Sequence, residues 1–459
     1  MVTLTSRFGS PVRERSSAVQ LNILNGRYLV KRRILPSINS NRSLLGLLAS
    51  LIVFSASVSQ GQEWTRFRGP NGQGISHGET IPIKWTEKDY NWKVKLPGGG
   101  HSSPVVWKDE IFVTSGDEKA GCGIILALSV SDGRTLWQKE YVLGSYRRNS
   151  LNSYAVPTPA VDADHVYALW PASNKTILAA HDHSGSEVWK RTFDGVYSRH
   201  GAGGSPIVFE DIVVFAHEQE GGGDDILSTW IAVDCKTGKT RWRLERIKSS
   251  KMSYSTPCVY RFGWDKPQLV FTSYAHGITG VDLRTGQVMW EAKSTFADRV
   301  VSSPVIAGGL IIGTCGEGSS GKRLVAIQPG RASKPTEPKE VYRIENNTVP
   351  YVPISLALGE LLFTFHDRGD ISCLRSATGE QLWREKPAGR FYGSPVCVDG
   401  KLYCITTAGE VVVLRAVPTY ELLAVNPLGE KSHATPAVAD GKMYLRTYTH
   451  LISIGRKKE

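Results

Sequence analysis

The chain lacks the cysteine patterns that mark metal, haem and disulfide sites. It has 459 residues and seven cysteines, which are Cys122, Cys235, Cys258, Cys315, Cys373, Cys397 and Cys404. None of them forms a CxxC or CxxCH motif or an adjacent pair. This argues against a thiolate zinc site, a covalently attached c-type haem and a vicinal disulfide. We therefore expect buried free thiols and predict no metal site.

A basic stripe with interleaved aromatic residues is also missing. The formal net charge is +12, but residues 1–61 hold eight basic residues and one acidic residue. The rest of the chain is therefore only mildly basic, and its charges are spread out. Nucleic acid is not an expected partner of such a chain.

One long apolar run occurs, at residues 44–58, and it is short for a membrane span. Basic residues precede it, and Ser59-Gln60-Gly61 follows it as a cleavage tripeptide. These features predict that residues 1–61 are a leader with a cleavable signal peptide around 44–61. The protein would then be periplasmic or secreted, with no transmembrane segment after cleavage. An uncleaved N-terminal anchor is the alternative.

Two short patterns recur along the chain, whereas long helical patterns are scarce. A tryptophan follows a turn glycine by four residues at Gly133/Trp137, Gly185/Trp189, Gly238/Trp242, Gly286/Trp290 and Gly379/Trp383. A Ser-Pro or Thr-Pro step recurs at Ser103-Pro104, Thr158-Pro159, Ser205-Pro206, Thr256-Pro257, Ser303-Pro304, Ser394-Pro395 and Thr435-Pro436. Proline suits the first strand of a repeat, because its missing N–H would face a central channel.

The spacing of these steps predicts the fold. Successive prolines lie 41 to 55 residues apart, except for one gap of 91 residues. We interpret Pro353 as a degenerate step within that gap, which gives eight units. Repeats of this length that are built from short strands are typical of propeller blades. The sequence therefore predicts an all-β, eight-bladed propeller of four-stranded blades.

The last repeat ends before a fourth strand. Trp92 precedes Pro104 by the same twelve residues that separate Trp383 from Pro395. Residues 91–96 are therefore predicted to complete the last blade and close the ring. The propeller would span residues 91–455, residues 62–90 would wrap its outer surface, and residues 456–459 would form a basic tail. Six tryptophans are expected to pack between neighbouring blades, namely Trp92, Trp137, Trp189, Trp242, Trp290 and Trp383.

Two of the repeats carry a family resemblance. The segments AVDCKTGKTRW (232–242) and GVDLRTGQVMW (280–290) resemble the tryptophan-docking repeat of the PQQ-type quinoprotein propellers. FRGPNGQG (67–74) is similar to the entry segment of secreted PQQ-like repeat proteins. Families with this fold include quinoprotein alcohol dehydrogenases and the non-enzymatic propeller subunit of the outer-membrane β-barrel assembly machinery. The repeat is structural, so it implies the fold and leaves the function open.

The candidate site is the face where the fourth strand of each blade connects to the first strand of the next. These connections hold His, Tyr and Arg residues, namely His101, Tyr154, Arg199, His200, Tyr254, Arg299, Tyr392 and His433. Arginine pairs with carboxylates and tyrosine stacks on rings, so this set predicts a pocket for an anionic or aromatic ligand. The alternative is a ring of ordinary polar loop residues around a solvated funnel.

Acidic residues are few near this mouth. Asp298 is the one acid that we nominate there, with Arg299 as a candidate ion-pair partner. Glu218, Glu220, Asp224 and Asp225 are expected to form a solvated loop between two strands. No catalytic residue is predicted.

These observations favour a non-catalytic binding or scaffolding module whose partner is a protein or another envelope component. The alternative is a PQQ-dependent oxidoreductase of the alcohol or sugar dehydrogenase type, with PQQ and Ca²⁺ in the funnel. The resemblance implies that such enzymes bind Ca²⁺ with carboxylate and amide oxygens and use an aspartate base. A third interpretation is a carbohydrate- or envelope-binding protein that uses the exposed aromatic residues Tyr254 and Tyr392. A small-molecule ligand is a further candidate partner.

Overall fold

Strands make up nearly all of the regular structure. The computed structural model describes residues 63–457 except 79, 147, 202, 222–226, 248, 264 and 332–335. These residues contain 33 strands and two short 3-10 helices, Pro70–Gly72 and Glu87–Asp89. The predicted leader, residues 1–61, lies outside the described residues.

The strands form eight blades, each with its first strand at the channel and its fourth strand at the rim. Two strands, β1 (Ile75–Ser76) and β2 (Trp92–Lys95), precede the first complete blade. Blade 1 contains β3 (Val105–Trp107), β4 (Glu110–Asp117), β5 (Cys122–Ser129) and β6 (Thr135–Val142), and blade 2 contains β7 (Ala160–Val161), β8 (His165–Pro171), β9 (Thr176–Asp182) and β10 (Glu187–Phe193). Blade 3 contains β11 (Ile207–Phe209), β12 (Ile212–His217), β13 (Ser228–Asp234) and β14 (Thr240–Arg246), and blade 4 contains β15 (Cys258–Tyr260), β16 (Gln268–Ser273), β17 (Gly277–Asp282) and β18 (Val288–Ala292).

The second half repeats this arrangement, and all pairings within a blade are antiparallel. Blade 5 contains β19 (Val305–Ala307), β20 (Leu310–Glu317), β21 (Ser320–Gln328) and β22 (Lys339–Glu345), and blade 6 contains β23 (Leu356–Leu358), β24 (Leu361–Phe365), β25 (Ile371–Arg375) and β26 (Gln381–Glu385). Blade 7 contains β27 (Val396–Val398), β28 (Lys401–Ile405), β29 (Glu410–Arg415) and β30 (Leu422–Pro427), and blade 8 contains β31 (Ala437–Ala439), β32 (Lys442–Arg446), β33 (His450–Gly455) and β2. The predicted all-β propeller of eight four-stranded blades is confirmed.

The last blade takes its fourth strand from the beginning of the propeller. Strand β2 pairs antiparallel with β33, with Trp92 opposite Ser453 and Lys95 opposite His450. The closing strand predicted at residues 91–96 is therefore observed at Trp92–Lys95. This pairing joins the first and last parts of the propeller within one blade and so closes the ring.

The segment before β2 does not run only over the outer surface, and the prediction for residues 62–90 is wrong in its first half. The backbone of Trp64 bridges to Val106 in the first strand of blade 1, and Trp64 is buried. Strand β1 pairs in parallel with β27, the first strand of blade 7. First strands have one edge facing the channel, and this segment supplies partners for their free backbone groups.

Two arginines of the same segment are buried among the first strands. Arg66 Nη2 donates to the carbonyl of Pro257 at 2.6 Å, and Arg68 Nη2 donates to that of Pro395 at 3.2 Å. Desolvation lowers the pKa of Arg66 to about 10 and that of Arg68 to about 9. The segment therefore closes one end of the channel. The segment reaches the outer strands of the blades further along the chain, where the backbone N–H of Trp85 donates to the side-chain oxygen of Asn426 in β30.

Tryptophans on the fourth strands join five of the blades to a glycine of the next blade. Trp242 of blade 3 lies over the turn glycine Gly286 of blade 4, and its indole N–H donates to the Leu283 carbonyl at 3.0 Å. A Cβ on Gly286 would stand 2.7 Å from this ring, and its φ is +72°, so both contact and conformation require glycine. The same contact occurs in the pairs Trp92/Gly133, Trp137/Gly185, Trp189/Gly238 and Trp290/Gly330. Tyr342 takes this place over Gly379, whereas Trp383 packs edge-on against Tyr420 at 5.3 Å.

Hydroxyl groups join the blades near the axis. The Ser103 N–H donates to the Thr158 hydroxyl at 2.9 Å, and the Thr158 N–H donates to the Ser205 hydroxyl at 3.0 Å. The remaining links, at 2.9–3.1 Å, are Ser205 to Thr256, Thr256 to Ser303, Ile354 to Ser394, Ser394 to Thr435 and Thr435 to Ser103. We call the seven acceptors of these bonds the hydroxyl ring: Ser103, Thr158, Ser205, Thr256, Ser303, Ser394 and Thr435.

Blade 6 interrupts the hydroxyl ring. Its first strand begins at Leu356, so Ser355 holds the position that proline has in the other blades. The interpretation of Pro353 as the degenerate step is therefore wrong by two residues. Ile354 occupies the hydroxyl position and offers no side-chain acceptor to the N–H of Ser303. The ring of hydroxyl bonds is open between blades 5 and 6.

We expect Trp242→Ala to lower the free energy of unfolding by about 3–5 kcal/mol, because it leaves a void between blades 3 and 4. Urea and thermal unfolding measure this change. The matched control Arg243→Ala, at the exposed neighbouring position, should change stability by less than about 0.5 kcal/mol. A Trp242→Ala melting temperature equal to that of the unsubstituted protein would contradict the packing role.

We expect Thr256→Val to cost about 1–3 kcal/mol, because the buried N–H of Ser205 loses its acceptor while the side-chain volume is kept. Urea unfolding of this variant is compared with that of Thr240→Val, whose position on β14 is exposed. Equal stabilities of the two variants would show that the hydroxyl ring contributes nothing to closure.

Candidate functional site

A cavity of about 350 Å³ lies at one end of the channel, and we call it the funnel cavity. The hydroxyl ring and Phe67 of the N-terminal segment line its inner end. Its walls come from the connections between fourth and first strands and from the hairpin at Gly318 and Ser319. The face is the one that the sequence predicted as the site.

Six of the eight predicted site residues line this cavity, namely His101, His200, Tyr254, Arg299, Tyr392 and His433. The other two do not. Tyr154 is buried against Tyr146 with ring centroids 4.6 Å apart, and its hydroxyl donates to the Gly144 carbonyl at 3.1 Å. Arg199 is exposed and contributes its backbone N–H rather than its side chain.

Aromatic rings form one wall of the funnel cavity. The imidazoles of His101 and His433 are stacked with centroids 4.3 Å apart, and the Tyr392 ring meets His433 edge-on at 4.9 Å. Burial, together with the neighbouring His433 and Arg446, lowers the pKa of His101 to about 2. Burial lowers the pKa of His433 to about 4. Both imidazoles are therefore uncharged at neutral pH.

An ion pair within the protein balances Arg299, the one arginine among the described residues that line the wall. Arg299 Nη2 binds Glu220 Oε1 at 2.6 Å, and Glu220 also accepts the backbone N–H of Arg199 at 3.0 Å. Burial alone would raise the pKa of Glu220, but these donors hold it below its ordinary value. Sequence reasoning missed Glu220 as a partner of Arg299, because the two are 79 residues apart and no local pattern links them.

The expectation for Asp298 is wrong. Its carboxylate binds Lys251 Nζ at 2.6 Å instead of Arg299, and it does not line the funnel cavity. Lys251 belongs to the preceding connection between blades and reaches Asp298, whereas Arg299 points across to Glu220. Asp298 therefore has a structural partner and no access to a ligand in the funnel.

The predicted solvated acidic loop is also wrong where the structure describes it. Glu218 and Glu220 are each only 3% exposed. The Glu218 carboxylate accepts the indole N–H of Trp230 at 2.9 Å, and burial raises the pKa of Glu218 to about 7. Both carboxylates are held by donors from neighbouring strands and connections, which a local charge pattern does not reveal. Asp224 and Asp225 lie outside the described residues.

One protein family matches the chain along almost all of its blades. The matching family is described as outer membrane protein assembly factor BamB, and the matched residues are 76–169, 123–350, 353–419 and 367–454. The chain belongs to this family. The resemblance to PQQ-like repeat propellers is therefore confirmed.

Solved structures share the fold of the BamB family at low identity. BamB from Moraxella catarrhalis is 13% identical with a TM-score of 0.54, over 80% of this chain and 97% of that one. Quinohemoprotein alcohol dehydrogenase from Comamonas testosteroni is 14% identical with a TM-score of 0.62, over 87% and 81% of the two chains. The dehydrogenase ADHIIG from Pseudomonas putida HK5 is 14% identical with a TM-score of 0.61 over the same shares. No curated protein sequence matches the chain. These likenesses show the fold alone.

The residues of the funnel cavity do not fit PQQ held with Ca²⁺. PQQ is a tricarboxylated quinone, and buried carboxylates need cationic or strong hydrogen-bonding partners. Among the described lining residues, Arg299 is the only Lys or Arg, and Glu220 already balances its charge. The described part of the chain also contains no cluster of three His, Cys, Asp or Glu side chains suited to a metal ion.

The cysteines give a second comparison with the quinoprotein dehydrogenases. All seven cysteines are free, and none of them lines the funnel cavity. A disulfide under a quinone ring therefore has no counterpart there.

Neither of the helices in the described residues has the length and apolar character that crossing a membrane requires.

Proposed function

We propose that this protein is a non-catalytic binding module that works outside the cytoplasm and holds a protein partner beside the funnel mouth. The observation that carries the proposal is the exposure of apolar side chains on this face. Ile247, Val142, Tyr197 and Leu151 are the four most exposed large apolar residues that the structure describes, at 71%, 68%, 56% and 49%. We call them the apolar rim.

All four residues of the apolar rim lie at the end of a fourth strand or in the connection that follows it. Val142 is the last residue of β6, and the other three lie in the connections that follow the fourth strands of blades 1, 2 and 3. Fourth strands run towards the funnel mouth, so the four side chains share one face of three consecutive blades. Exposed apolar surface concentrated on one face is typical of a protein interaction site.

The two connections that carry Tyr197 and Ile247 rest on one hairpin of blade 3. The Tyr197 carbonyl accepts the N–H of Glu220 at 2.8 Å, and the Ser249 carbonyl accepts the N–H of Gly221 at 2.9 Å. These bonds fix both connections to the same support. Tyr197 and Ile247 are therefore held next to the same support and can contact a partner together.

Membership of a family described as an outer membrane protein assembly factor supports a cell-envelope protein as the partner. The signal peptide predicted around residues 44–61 supports the same compartment, the periplasm or the exterior. The alternative of a PQQ-dependent oxidoreductase has the fold as its support, and the charge balance of the funnel cavity weighs against it.

Photo-crosslinking in the source cells tests the proposal. The reactive residue p-benzoylphenylalanine is placed at Tyr197 or Ile247 and, as matched controls, at Val188 or Val341, which lie on fourth strands and are 43% and 45% exposed. We expect one discrete envelope-protein adduct from positions 197 and 247 and none from 188 and 341. Adducts of equal yield from all four positions, or none from the rim, would contradict a partner at this face.

A further inference from the structure

The hydroxyl ring has unused hydrogen-bonding capacity that faces the funnel cavity. Each of its seven oxygens accepts a backbone N–H, and all seven residues line the cavity. Among the described residues, none of these hydroxyls donates to a protein acceptor. A hydroxyl can rotate its proton towards the open side. The inner end of the cavity therefore presents a circle of O–H donors, which have water or a ligand as their acceptors.

The walls combine ring faces with groups that both donate and accept. His101 Nδ1 is buried without a hydrogen-bond partner, and the Tyr392 hydroxyl lies 3.1 Å from that of Ser319. Tyr351 lines the cavity from blade 6, where the buried carboxylate of Asp367 accepts its backbone N–H at 2.8 Å. Phe67 adds an apolar surface at the inner end. The walls of the funnel cavity thus carry both aromatic rings and polar groups that can donate and accept hydrogen bonds.

The charge of the cavity restricts what can enter it. Arg299 is paired with Glu220, and the stacked imidazoles of His101 and His433 are uncharged at neutral pH because burial lowers their pKa values. The described lining has no other Lys or Arg and no Asp or Glu. A charged ligand would therefore lose its hydration without an unpaired Arg, Lys, Asp or Glu as its counter-charge, which costs free energy. A neutral ligand with many hydroxyl groups avoids this cost. Its hydroxyls match the O–H donors and amphoteric side chains, and its C–H faces match the rings.

We propose that the funnel cavity binds a neutral saccharide, with a sugar ring against the wall of His433 and Tyr392 and its hydroxyls on the hydroxyl ring. The volume of about 350 Å³ suits a small saccharide or the end of a glycan chain. Leu151 of the apolar rim also lines this cavity, whereas Val142, Tyr197 and Ile247 do not. The inference therefore rests on other side chains than the proposed protein contact.

Calorimetric titration of the purified protein tests the proposal with a defined panel of probes. The neutral probes are maltose, cellobiose, lactose and N,N′-diacetylchitobiose, and the charged probes are gluconate and glucosamine. We expect at least one neutral saccharide to bind with a Kd below about 1 mM and the charged probes to bind at least about tenfold more weakly. No heat from any neutral saccharide, or tighter binding of gluconate, would overturn the proposal.

Variants locate the binding. Tyr392→Ala should weaken the binding of the best saccharide at least about tenfold through loss of ring contact, whereas Tyr392→Phe should keep most of the affinity. Val188→Ala, at an exposed fourth-strand position outside both proposed surfaces, should leave it unchanged. If Tyr392→Ala does not fold, Val301→Phe, which fills the cavity from a lining position, decides the question. Saccharide binding that survives Tyr392→Ala or Val301→Phe unchanged would place the ligand elsewhere and overturn the assignment.

Discussion

Closure of the ring of blades is the constraint on which the rest of the structure depends. A four-stranded blade cannot bury both of its faces alone, so its stability comes from its two neighbours. Near the axis, the hydroxyl ring joins first strands through buried N–H···O bonds of 2.9–3.1 Å. On the fourth strands, tryptophans pack on glycines of the next blade. The pairing of β2 with β33 then completes the eighth blade with a strand that precedes blade 1, which closes the circle.

The same closure determines the chemistry of the funnel cavity. Its inner end consists of hydroxyls that already accept structural hydrogen bonds, which makes it polar without making it charged. Phe67 reaches this point because the N-terminal segment supplies partners to the channel edges of the first strands. Glu220 balances Arg299, the one arginine among the lining residues that the structure describes. The described lining of the funnel therefore favours a neutral ligand, and three of the four residues of the apolar rim, Val142, Tyr197 and Ile247, do not line it.

Local repeats made most of the fold predictable, and contacts between distant residues made much of the site unpredictable. The glycine that precedes Trp242 by four residues and the proline of each step report conformations that a few neighbouring residues determine. Pro353 was misplaced because blade 6 replaces proline with Ser355, which no spacing reveals. The ion pair of Glu220 and Arg299 joins residues of different blades. The path of residues 64–76 depends on free backbone edges that exist only after the ring has formed.

A neutral binding site and the site of a charged redox cofactor differ in whether the funnel cavity takes up PQQ. Calorimetric titration of the purified protein with PQQ, with and without Ca²⁺, distinguishes the two. For a neutral site we expect no saturable heat in either condition from a protein that still unfolds cooperatively, which means a Kd weaker than about 1 mM. Calcium-dependent binding with a Kd near about 1 μM would show that the cavity holds the cofactor and would favour the oxidoreductase.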